Sequence, residues 1–191
     1  MPARSLWSRV AACVAALTLG TTAGTTAARA QAAPPPAGAL PYDQTLSVGI
    51  LTIPLGVASA EYERKLGGPL TLGLTGTYAT TSQLYPRRDR FAAARLMYYP
   101  GGRPLEGLAV GVTAGAHRAE RKYGEDPATV LAHDGGATLG AIVTYNGYYG
   151  PGRRFFFGPG VGVKRVLKSV AANSPLASTY FEGRAALGVA F

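Results

Sequence analysis

The side chains that could do chemistry are few and widely separated. Hydrolysis or acyl transfer needs a base beside a nucleophile. The sequence offers His117 and His133-Asp134 as bases, and Ser82, Ser169, Ser174 and Ser178 as hydroxyls. No motif joins them, so they read as a rim histidine, an Asx turn and loop serines, and catalysis is not expected. With one cysteine and two histidines, neither a disulfide framework nor a cysteine zinc site can form. Gly158, Gly160 and Gly162 alternate along one face, but no helix and no Lys-Ser/Thr follow, as a phosphate loop requires. No cofactor and no metal are expected. What remains is charge set inside apolar stretches: Glu61, Glu63, Arg95, Lys164, Glu182 and Arg184. Charges removed from water pair with one another, so the chemistry these six can do is ion pairing, provided the fold brings them together.

The elements that must do so are strands. Apolar and small or polar residues alternate with period two in eight runs: Tyr42–Ile53, Val57–Leu66, Leu70–Thr80, Phe91–Tyr99, Leu108–Arg118, Gly135–Tyr149, Arg154–Val166 and Ser178–Phe191. These exceed the usual globular strand of about 5–6 residues and suit a tilted bilayer crossing of about 9–11. The third run sets Leu70, Leu72, Leu74 and Tyr78 against Thr71, Gly73, Thr75 and Thr77; the fifth sets Leu108, Val110 and Val112 against Ala109, Gly111 and Thr113. The sixth and eighth repeat the pattern, with Leu139 and Val143 against Thr138 and Thr144, and Leu187 and Val189 against Arg184 and Gly188. A water-facing exterior would carry frequent Lys and Glu. The second face here is Gly, Ala and Thr with a few charges, which suits the narrow interior of an eight-stranded barrel. The apolar face therefore looks outward, toward lipid. By the same parity the six charged residues point inward, as a nearly neutral network that closes the lumen. The glycines of the seventh run make space for the long inward chains. The expected fold is all-β, an eight-stranded antiparallel up-and-down transmembrane β-barrel.

The connections and the aromatic residues fit this arrangement. Tight links at 66–70, 100–106 and 150–153 alternate with four outer links, a short one near 54–56 and longer ones at 81–90, 119–134 and 167–177, as in barrels with short periplasmic turns and long outer loops. Tyr42, Tyr62, Tyr98, Tyr99, Tyr148, Tyr149, Phe155, Phe156, Phe157 and Phe191 map to the turn end; Tyr78, Tyr85, Phe91, Tyr180 and Phe181 map to the loop end. Two such levels suit two membrane interfaces.

Composition and the first residues supply the address. Hydrophobic residues make up 47% and charged residues 15% of the 191, which excludes a disordered chain. Arg4 and Arg9, the apolar run Val10–Leu19 and the Ala28-Arg29-Ala30 ending form a secretory signal peptide,. Cleavage is expected after Ala30 and removes the only cysteine, Cys13. Residues 1–30 are thus the signal peptide, 31–40 a Pro/Ala-rich lead-in and 41–191 the barrel. Export and the absence of a recognition motif argue against nucleic acid as the partner of a chain with formal charge +9,.

The chain ends Phe181-Glu182-Gly183-Arg184-Ala185-Ala186-Leu187-Gly188-Val189-Ala190-Phe191. The terminal Phe191, with Val189 and Leu187 at alternate positions before it, resembles the C-terminal insertion signal of bacterial outer-membrane barrel proteins. The stretches 61–66, 97–107 and 160–165 also resemble uncharacterised barrel families of that membrane. The resemblance implies residence in the outer membrane and assembly by the barrel-insertion machinery, and it implies no chemistry. Outer-membrane lipids and lipopolysaccharide are the expected neighbours, with Arg87, Arg88 and Arg90 in the second outer link, and Arg165 and Lys168, meeting lipid phosphates. Residues Arg121 to Ala132 of the third outer link are the expected contact surface for an extracellular partner, which the sequence does not name. The expected role is structural or interactive and non-enzymatic. A solute channel and a lipid-modifying enzyme are the alternatives.

Overall fold

A computed structural model describes residues 40–50, 53, 56–81, 87–122, 130–167 and 179–191. Eight strands run in chain order: β1 (Gln44–Gly49), β2 (Val57–Gly67), β3 (Leu70–Thr81), β4 (Arg87–Tyr98), β5 (Gly107–Lys122), β6 (Val130–Tyr149), β7 (Phe155–Val166) and β8 (Thr179–Ala190). Each pairs antiparallel with its neighbours in sequence, and β1 closes on β8, giving an up-and-down barrel. At the seam the Gln44 and Phe191 backbones exchange N–H···O bonds at 3.1 and 3.0 Å. Closure leaves no strand edge unpaired, the condition for a sheet in an apolar solvent.

The two faces sort as the alternation requires. Val112 is 60% exposed and Leu139 50%, and Leu46, Leu96, Leu108, Val161 and Phe181 are also exposed. Thr71, Arg95, Thr113, Thr144, Asn146 and Lys164 are all buried. This inverts a water-soluble barrel. Exposed apolar wall of this extent matches hydrocarbon, whereas in water it would be an aggregation surface. Among the described residues no helix is long and apolar enough to cross a membrane.

Turn geometry rests on a few left-handed positions. Gly68 (φ 54°) and Gly102 (φ 69°) turn the chain into β3 and toward β5, as residues lacking Cβ do at little cost. Leu105 adopts φ 75° although it is not glycine. Its side chain is fully buried, so apolar burial offsets the backbone strain.

Three sequence expectations change. First, β4 begins at Arg87, β5 extends to Lys122 and β6 begins at Val130. Arg87, Arg88, Arg90, His133 and Asp134 are therefore strand residues, as are the ends of the segment expected to be a contact loop. Ladder hydrogen bonds need only backbone groups. Where both faces of a strand are polar, pairing continues but the alternation that reveals it is lost. Second, β1 covers six residues, fewer than its twelve-residue run, with one further bond from the Ile50 amide to the Ala185 carbonyl at 2.9 Å. Third, not all aromatic rings lie on the outer wall. Tyr99 and Phe156 are buried, and Phe91, Tyr148 and Tyr180 share the inward parity of their strands. Tyr98, Tyr149, Phe155 and Phe157 are exposed at the turn end, and Tyr78 and Phe181 at the loop end. Residues 1–39, Ser82, Tyr85, Lys168, Ser169, Ser174, Ser178 and the middle of the third link lie outside the described residues.

Candidate functional site

The lumen is built from alternate residues of the strands, and its polar side chains meet in its middle. Glu61 of β2 is the centre. Its Oε2 accepts from Arg95 Nη2 at 3.0 Å and from Arg184 Nε at 2.8 Å. Arg184 reaches from β8, next to β1 at the seam, and Arg95 from β4, so one carboxylate ties both sides of the cylinder. Arg95 is 3% exposed and Arg184 and Glu61 are 9% exposed. At that burial, ionic hydrogen bonds are only weakly screened by solvent.

The chain of bonds continues toward the turn end. Arg184 Nη1 donates to the Gly158 carbonyl at 2.8 Å and to Asn146 Oδ1 at 3.4 Å. Asn146 Nδ2 donates to the Tyr99 hydroxyl at 3.2 Å and to the Leu105 carbonyl at 3.1 Å. Tyr99 donates to Glu63 Oε1 at 2.7 Å, and Thr71 donates to the same oxygen. The path from Arg95 through Glu61, Arg184, Asn146 and Tyr99 to Glu63 thus engages β2, β3, β4, β6, β7 and β8. Below it the buried Leu105, Met97 and Phe156 fill the turn end.

Lys164 and Glu182 form a second, separate pair nearer the loop end, at 2.7 Å. The Lys164 ammonium also sits 3.7 Å from the centroid of the Phe91 ring, a cation–π contact. Still on the loop side, His117 Nε2 lies 3.8 Å from Asp89 Oδ1. The serines considered as nucleophiles are outside the described residues. Among the described residues no group of His, Cys, Asp and Glu is placed to hold a metal ion.

Of the six charged residues singled out by parity, the structure brings Glu61, Arg95 and Arg184 into one cluster. Glu63 joins through Tyr99 and Asn146, and Lys164 with Glu182 stands apart. Tyr99 and Asn146 are the partners the charge pattern overlooked. Both carry the inward parity of their strands, since Tyr99 follows Arg95 by four residues and Asn146 follows Thr144 by two.

Glycine makes room for this network at one position in particular. A Cβ on Gly158 would stand 2.5 Å from Arg184 Nη1 and 2.6 Å from Asn146 Oδ1. Gly160 and Gly162 serve shorter neighbours: their Cβ positions fall against Thr144 Cγ2 at 2.8 Å and Ile142 Cβ at 3.3 Å. The expectation that all three clear space for long inward chains therefore holds for Gly158 alone. Gly158→Val is expected to lower folded-state stability by about 1–3 kcal/mol through overpacking. Urea titration in detergent micelles, read by the mobility difference between folded and unfolded barrel on a gel, measures it.

A closed eight-stranded, up-and-down barrel with an apolar wall and a charged lumen defines the chain as a small transmembrane β-barrel of the outer-membrane type. It is similar to the crystal structure of Neisserial surface protein A, with a TM-score of 0.52 and 12% identity over 78% of this chain and 94% of that one. The N-terminal β-barrel domain of Pseudomonas aeruginosa OprF also aligns, over 78% of this chain and 96% of that one, with a TM-score of 0.47 and 14% identity. At these identities the likeness concerns the fold. No family model and no curated protein sequence matches the chain.

Proposed function

We propose that the protein is a non-enzymatic integral barrel of the bacterial outer membrane, with a closed lumen, whose role is structural or interactive through the segments at its loop end. The observation that carries this reading is the pairing of Glu61 with both Arg95 and Arg184 in the barrel's interior, inside a wall that exposes many Leu, Val, Phe and Tyr side chains. Charges that satisfy one another across the lumen act as cross-struts. An interior only as wide as its side chains leaves little space for an aqueous path. The signal peptide over 1–30 delivers the chain across the inner membrane. Leu187, Val189 and Phe191 present the alternating strand that the insertion machinery reads, and Leu187 and Val189 pair with Phe157 and Phe155 of β7 at the turn end.

Planar-bilayer recording of the purified, folded protein tests the closed lumen. The expected result is a flat baseline at voltages where open barrels conduct. Steady single-channel steps would show instead that the charged interior is a path for solutes. Fractionation tests the location: the protein should resist carbonate wash and require detergent for release.

A further inference from the structure

The outer wall is not uniform. On β4 and β5 the outward residues face each other in register: Arg90 opposite Arg118, Ala92 opposite Ala116, Ala94 opposite Ala114 and Leu96 opposite Val112. The upper pair sets two guanidinium side chains side by side, an arrangement that is destabilising unless an anion lies between them. Arg88 is one outward position further toward the loop end and, like Arg90, is exposed. Against these three arginines, the described outward residues of β3–β6 bring one acid, Glu120, opposite Arg88 in register and 3.6 Å from Arg118 Nη2. Arg90 lies over the Tyr78 ring, 6.0 Å from its centroid, which holds the guanidinium against the wall.

Below the arginines the wall sinks. Ala94 and Ala114 form the floor of a depression of about 500 Å³, flanked by Leu72 and Leu139 and bounded toward the turn end by Leu96 and Val112. Ala92 and Ala116, with Gly76 and Ala137 in register on either side, keep the wall low between the arginines and this depression. Four residues of extended strand separate Arg90 from Ala94, about 13 Å. A cationic rim above a hydrocarbon trough on the same strands is complementary to one kind of molecule, an amphiphile with an anionic head and an acyl tail.

We propose that this face seats a phosphorylated, acylated lipid of the loop-side leaflet, with a headgroup phosphate between Arg90 and Arg118 and an acyl chain in the depression over Ala94 and Ala114. The inference rests on the reading that the barrel lies in a membrane. Charge selects a lipid over a second copy of the chain, because a symmetric partner would bring the same three arginines to the contact.

Native mass spectrometry of the folded, detergent-extracted protein tests it, with diphosphoryl lipid A as the probe and phosphatidylcholine and inorganic phosphate as comparators. Wild-type protein is expected to retain one diphosphoryl lipid A and neither comparator. Arg90→Gln with Arg118→Gln, and separately Ala94→Phe with Ala114→Phe, should each lower that retention about tenfold or more. Arg64→Gln with Arg154→Gln, at the turn end, should leave it unchanged. Each variant is compared after its gel mobility shows a folded barrel, and the two paired substitutions provide independent routes should one not fold. Equal retention by all variants overturns the proposal. So does equal loss in the turn-end variant, which would mean unspecific attraction. Retention that survives the phenylalanines, or binding of inorganic phosphate alone, overturns the acyl seat. A dimer abolished by the phenylalanines would give the face to a second copy. A protein that forms no barrel, or leaves the membrane without detergent, fails the underlying reading. An inserted barrel without the lipid fails only this one.

Discussion

Glu61→Gln is expected to destabilise the folded barrel by about 3–5 kcal/mol, the cost of removing one partner from a buried ionic cluster. Glutamine keeps the shape, so no cavity forms. What it removes is the negative charge shared by Arg95 and Arg184, which approach the same Oε2 at 3.0 and 2.8 Å. Two guanidinium groups, 3% and 9% exposed, are then left facing each other across a lumen with little water to screen them. Glu63→Gln should cost much less, about 1 kcal/mol. The Glu63 carboxylate accepts hydrogen bonds from the hydroxyls of Tyr99 and Thr71, and an amide oxygen can accept the same bonds. Replacing Glu61, Arg95 and Arg184 together by apolar residues of similar size should recover much of the loss, since a buried ionic triad is often no more stable than a packed apolar one. Urea titration of the folded fraction on unboiled gels distinguishes the three. A Glu61→Gln barrel as stable as wild type would mean that the cluster holds nothing together.

Val112→Arg is expected to cost about 2–4 kcal/mol of folding free energy in lipid vesicles, and Phe181→Arg no more than about 1 kcal/mol. Both residues point outward, and Phe181 is the more exposed, at 92% against 60%. In water the exposed phenylalanine would be the easier to replace and the valine nearly as easy, because either change would remove apolar surface from solvent. In a bilayer the order is set by depth. Val112 borders the depression with Leu96 and Ala141 opposite it on the neighbouring strands, well below the loop end of β5 at Lys122, whereas Phe181 is the third residue of β8, at its loop end. Reversible urea unfolding of vesicle-inserted protein reads the difference. Equal and negligible costs at the two sites would place the wall in water and remove the basis of the membrane reading.

Strand number, strand face and the membrane are legible in the residues themselves because the side-chain period of a strand is two. Once Leu72, Val110, Leu139 and Leu187 fall on one face and Thr71, Thr113, Thr138 and Arg184 on the other, a choice of solvent follows from which face carries the charges. The same parity identifies Glu61, Arg95 and Arg184 as inward. Parity fails where a residue's neighbours stop alternating. Arg87 to Arg90 and the facing strand ends near Glu120 have polar side chains on both faces, so nothing in the chain distinguishes them from loop, and only the ladder between β4 and β5 does.

Which inward charge meets which is a different matter. Glu61 and Arg184 are 123 residues apart, and their meeting depends on the register of every intervening strand pair, on the stagger with which the barrel closes, and on the space left at Gly158. A slip of two residues in one ladder would preserve every face and change every partner. Tyr99 shows the same limit: an aromatic residue at a strand's turn end suits either an interface belt or the floor of the lumen. The alternation thus determined that there would be a barrel with a greasy outside and a charged inside. Closure decided which side chains bond within it, because contacts across a cylinder depend on the three-dimensional positions of strands that are remote in sequence.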